Sequence, residues 1–109
     1  KNLIARPRPY AADPSILLLI PPSREAFSFP SGHTLHAFAA ACSVGLAGHR
    51  RLFCFALPLA ALIGFSRIYL MMHYPLDVFA GALLGFCAAA AARRLLPVLE
   101  AVLSRRGGD

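Results

Sequence analysis

Beyond Gly32 the hydrophobic positions run on in three blocks, Ala37–Gly48, Leu52–Phe65 and Val78–Ala92, each bounded by charged or polar residues. Continuous apolar runs of this length predict three helices. A membrane-crossing helix needs about 17–25 mainly apolar residues, so each block reaches that length only if flanks such as His33, Arg67 or Tyr69 extend it. Those flanks must then face protein and not lipid. Ahead of Gly32 the texture changes. Most of the nine prolines lie there, which predicts an ordered loop region and no long helix. Within it the five residues Ile16–Ile20 stop at Pro21–Pro22; they are too few to span a bilayer and read as a buried turn or a membrane-dipping segment.

Composition sharpens this picture. The 109 residues, one domain at most, are 58% hydrophobic and 15% charged, with mean hydropathy +0.61. That excludes a disordered chain and exceeds the roughly 45–50% apolar share of soluble domains. The Gly81-x-x-x-Gly85 spacing and the alanines of 39–41 and 88–92 permit close helix approach in lipid. A soluble bundle would carry a charged outer stripe, and none is visible. The expected fold is therefore all-α: a polytopic membrane bundle of about three core helices with an N-terminal loop. The chain opens on Lys1 without a signal-peptide pattern, and residues 1–109 read as the C-terminal portion of a longer membrane protein whose upstream helices are its missing partners. Cys42, Cys54 and Cys87 lie in apolar runs with no CxxC pair, so they read as small core residues.

The net charge of +6 and pI of about 10.1 invite a nucleic-acid reading, but the basic residues gather at the ends of apolar runs and form no solvated face, so no nucleic-acid partner is expected. Their placement orients the bundle. Arg50–Arg51 follow the first helix and Arg93–Arg94 are expected to close the third, so the positive-inside rule makes that side cytoplasmic. Ser31–His33 and the stretch from Ser66 to Asp77 then face outward.

The outward ends collect Lys1, Arg6, Arg8, His33, His36, Arg67, His73 and Asp77, ionisable residues that at membrane depth point to function. They fall in three patterns: KxxxxxxRP over Lys1–Pro9, PSGH over Pro30–His33, and SRxxxxxHxxxD over Ser66–Asp77. In these the chain resembles the type 2 phosphatidic acid phosphatase and vanadium haloperoxidase superfamily, meeting every specified position in order. The final third resembles it only in being a helix that begins beside the last motif residue.

The residue chemistry stands beside the resemblance. A phosphate monoester has three non-bridging oxygens and up to two charges, so its site wants several fixed donors. Arg8 and Arg67 each offer a planar fork of N–H groups and Lys1 a point charge. Ser31 and Gly32 precede an apolar helix, whose N-terminus favours an anion. Asp77 follows His73 by about one helical turn, and a carboxylate against Nδ1 would fix the imidazole tautomer and leave Nε2 to attack phosphorus. The resemblance implies the roles: His73 as the nucleophile that becomes phosphohistidine, and His33 as the acid that protonates the leaving alcohol and later activates water. It also implies an outward-facing site in a bacterial-type inner membrane, a lipid phosphate or diphosphate substrate, and no metal or cofactor.

Other polar residues have plainer readings. His36 stands three positions after His33 and admits a metal site with His73 and Asp77, or a hydrogen bond to a neighbour. Arg6 reads as a contact to a second phosphate or lipid head group, or as a solvated loop charge, and Arg24 with Glu25 as a loop ion pair. Two further functions stay open. One is a vanadate-dependent haloperoxidase using the same anion pocket, against which the apolar runs argue. The other is a non-catalytic membrane module that binds a lipid head group.

Overall fold

The computed structural model describes residues 4–13, 15–22, 24 and 27–107. It is all-α among those residues: a one-turn helix α1 (Pro9–Ala12), then α2 (Gly32–Leu46), α3 (Arg50–Tyr69) and α4 (Pro75–Arg106). The N-terminal segment is the expected loop region, fastened by a single antiparallel bridge between Pro7 and Phe27. After α1, Asp13 accepts hydrogen bonds from the Ser15 hydroxyl at 2.7 Å and the Ser15 N–H at 3.0 Å, which hold its carboxyl below its ordinary pKa.

Helix α2 is central, packed extensively on α4 and also on α3, while α3 and α4 touch only slightly. The glycines explain how. A Cβ on Gly81 would lie 2.6 Å from the Ser31 carbonyl oxygen, and one on Gly85 would lie 2.5 Å from that of Leu35. The predicted Gly81-x-x-x-Gly85 seam is therefore where α4 meets α2 backbone to backbone. Gly64 of α3 approaches Thr34 of α2 and Val78 of α4, and Gly45 near the end of α2 approaches Phe53 near the start of α3. Consecutive helices thus run up, down and up.

Two helices, α3 and α4, are long and apolar enough to cross a membrane. Only 11% of the apolar window of α3 and 22% of that of α4 is buried, so most of their hydrophobic surface faces outward. Two expectations change. The third helix does not close at Arg93–Arg94 but continues to Arg106 through Pro97. Leu, Glu, Ala and Arg in that stretch are good helix formers, and a proline withdraws only one ladder hydrogen bond. Nor is the segment 16–20 a buried turn, since Leu17 is 91% and Leu19 69% exposed.

Candidate active site

The link between α3 and α4 brings Arg67 and His73 together. Arg67 lies in the last turn of α3, and its carbonyl oxygen accepts from the N–H groups of Met72 at 3.1 Å and His73 at 3.2 Å. Met71 takes a left-handed φ of 56° to make this reversal, an uncommon conformation for a side-chain-bearing residue. Pro75 then starts α4, its fixed φ suiting the first helical position. The reversal leaves Met72 and His73 each only 3% exposed.

Arg8, also buried, reaches in from the N-terminal segment. Its Nη1 donates to the Met72 carbonyl oxygen at 2.9 Å and lies 3.2 Å from His73 Nε2. A guanidinium offers only donors, so the neutral imidazole accepts at Nε2 and carries its proton on Nδ1. Nδ1 faces Asp77 Oδ2 at 3.9 Å, beyond direct hydrogen-bond range. Asp77 is fully buried and has other duties. Its Oδ2 accepts the Tyr74 N–H at 2.8 Å, capping α4, and its Oδ1 lies 3.5 Å from Arg6 Nη1. Arg6 in turn stacks on the Tyr74 ring with its guanidinium carbon 3.9 Å from the centroid.

The start of α2 supplies the opposite wall. Ser31 is the N-cap: its hydroxyl accepts the Thr34 N–H at 3.5 Å and shares a 2.9 Å hydrogen bond with the Thr34 hydroxyl. The Ser31 N–H donates to the Asp77 carbonyl oxygen at 3.0 Å, which joins the starts of α2 and α4. Gly32 and His33, the next two residues, face an open cavity of about 390 Å³.

That cavity is lined by Arg8, Gly32, His33, Arg67 and His73, drawn from all three motifs. Ser31 and Asp77 stand behind it, buried, and Lys1 lies outside the described residues. Two further lining residues are Arg24 and His36. Sequence reasoning gave Arg24 only an ion pair with Glu25, which lies outside the described residues; no local signal placed Arg24 on the cavity wall. His36 was visible as the residue one turn beyond His33. Arg6 is not among the lining residues and instead pairs with Asp77.

The cavity is electropositive in character. Three arginines and three histidines line it, and no carboxylate does so among the described residues. Arg67 Nε is buried without a hydrogen-bond partner among them. Such a donor left unsatisfied costs about 1–3 kcal/mol, a penalty that a bound oxyanion would relieve. Among the described residues, no group of three or more His, Cys, Asp or Glu side chains is arranged to hold a metal ion.

Sequence comparison places this site in a family. The profile of the PAP2 superfamily matches residues 1–100, and the chain belongs to that superfamily. It is 36% identical over 86 residues to an undecaprenyl-diphosphatase of Sulfolobus acidocaldarius, covering 78% of this chain and 41% of that protein. It is 42% identical over 82 residues to the bacitracin transport permease protein BcrC of Bacillus licheniformis, covering 75% of this chain and 39% of that protein. The chain thus spans about two-fifths of the length of these curated relatives. No solved structure matches it significantly.

Proposed function

We propose that this chain carries the catalytic centre of a membrane lipid phosphatase, which removes the terminal phosphate of a lipid phosphate or diphosphate through a phosphohistidine on His73. The observation that carries the reading is the cavity itself: motif side chains from three separate stretches line one space, and a buried nitrogen of Arg67 has no hydrogen-bond partner among the described residues. The PAP2 membership and the diphosphatase relative point the same way.

The chemistry follows from the atoms. Arg67, Arg8 and the N-terminal backbone of α2 bind the phosphate oxygens. As Arg8 turns its fork to the anion it releases the Nε2 lone pair of His73. Nε2 then forms a bond to phosphorus while the phosphorus–leaving-oxygen bond breaks, and His33 gives that oxygen its proton. The imidazolium that develops is stabilised by Asp77, fixed in place by Arg6 and the Tyr74 N–H. Water then yields a proton to His33, attacks phosphorus and frees His73. Lys1 is assigned to the same anion, and Ser31 acts as the cap that aims Gly32 and His33. The mechanism uses no metal.

The basic residues at the far end of the bundle, Arg50, Arg51, Arg93 and Arg94, support a reading in which that end is cytoplasmic and the site lies on the outer face of a multi-pass assembly. The decisive assay measures phosphate release from lipid phosphates in detergent. His73→Ala is expected to abolish it, and chelator to leave the wild-type rate unchanged. Full turnover by the variant rejects the mechanism, and halide oxidation with vanadate and peroxide in place of phosphate release would make the chain a haloperoxidase.

A further inference from the structure

We propose that Arg24 and His36 form a second anion subsite in this cavity, holding the lipid-side phosphate of a lipid diphosphate, so that the site favours diphosphates over monophosphates. The inference rests on the phosphatase reading above and extends it to the choice of substrate.

Charge matching comes first. A single phosphate dianion already meets Arg8 and Arg67, the two guanidinium groups beside His73, with Lys1 assigned to it as well and the α2 N-terminus adding its partial positive charge. Arg24 and His36 are then surplus. Neither has a polar side-chain partner among the described residues, although the buried Arg8 and the half-exposed Arg6 both do. Both are exposed, so nothing in the packing of the fold requires an arginine or a histidine at these positions.

Space and direction agree with this. A cavity of about 390 Å³ has room for ten or more waters at about 30 Å³ each, well beyond the five heavy atoms of one phosphate. His36 lies on the same face of α2 as His33, three residues on and so about 4.5 Å along the helix axis. That displacement suits a group attached next to the phosphate under attack. Arg24 enters from the same segment as Ile20 and Pro21, which also line the cavity. The neighbouring Leu17 and Leu19 are 91% and 69% exposed, so an apolar approach adjoins the Arg24 side, where the hydrocarbon of the substrate departs.

In the resulting step, His73 Nε2 bonds to the terminal phosphorus and the bridging phosphorus–oxygen bond breaks. Its electron pair stays on the bridging oxygen, now part of a lipid monophosphate, which takes the proton of His33 while Arg24 and His36 donate hydrogen bonds to its other oxygens. Water cleaves the phosphohistidine as before, releasing inorganic phosphate.

The test uses the full chain in detergent with farnesyl diphosphate and farnesyl monophosphate, which share a tail and differ only by one phosphate. Wild-type protein should show the higher kcat/KM for the diphosphate. In Arg24→Gln/His36→Gln the diphosphate-to-monophosphate ratio should fall about 10–100-fold, the scale of one or two charge-assisted contacts. Inhibition gives a second readout that does not need turnover: the double variant should bind methylenediphosphonate more weakly relative to orthophosphate. Equal losses on both substrates, an unchanged ratio of inhibitor affinities, or a wild-type preference for the monophosphate would each overturn the subsite. Absence of phosphate release from either compound by wild-type protein would instead sink the phosphatase reading beneath it.

Discussion

Arg8 engages two partners with one nitrogen, the Met72 carbonyl oxygen and His73 Nε2, and so ties the first motif to the third. A lysine keeps the charge but offers a single flexible ammonium in place of a planar fork. Arg8→Lys is therefore expected to lower kcat/KM about 10–100-fold, the worth of one lost charge-assisted hydrogen bond, as read from phosphate release at varied substrate. Arg6 makes a contrasting case. Its side chain is 35% exposed but its partner Asp77 is fully buried, so Arg6→Gln should cost about 1–3 kcal/mol of stability, measured by thermal unfolding in detergent. The motif residues that meet at the cavity were legible because their spacing is chemical and local. The partners that hold them were not. The KxxxxxxRP spacing singled out Arg8 for the cavity, but nothing in the sequence marked Arg6 as the partner of Asp77, 71 positions away. Nor does the sequence mark Met71 for a left-handed turn, where glycine is the usual choice.

At the scale of elements, the contact between α2 and α4 depends on the absence of two Cβ atoms. The atoms a new methyl would meet are backbone oxygens, which cannot swing aside as a flexible side chain can. Gly81→Ala should accordingly destabilise the chain by about 1–3 kcal/mol through overpacking, visible as a lowered melting midpoint. Because Gly81 abuts the Ser31 carbonyl, activity should fall with it. All three long helices were readable from their apolar runs, and so was this seam. The extension of α2 and α3 through His33, Arg67 and Tyr69 was legible too, because runs this short cross a membrane only with such flanks. The end of α4 was not: a charged pair such as Arg93–Arg94 resembles a boundary, yet arginine is a good helix former and α4 passes through it.

On the scale of the whole molecule, α3 at 20 residues matches a hydrocarbon core of about 30 Å, whereas α4 at 32 residues is about 48 Å long and outruns it. In the proposed orientation the surplus of α4, bearing Arg93, Arg94, Arg105 and Arg106, would project on the cytoplasmic side. In a cysteine-free background, Met71→Cys should react with a membrane-impermeant thiol reagent applied to intact cells, and His49→Cys only after the cells are opened. The reverse pattern would turn the bundle over. The Ser31–Asp77 backbone bond has a wider consequence for how such a molecule can change. It welds His73 and His33 to one scaffold of paired helices, whereas residues 15–22 are mostly exposed and stand off it. Changes at exposed positions there, such as Leu17 and Leu19, can alter the rim of the cavity without shifting His33 or His73.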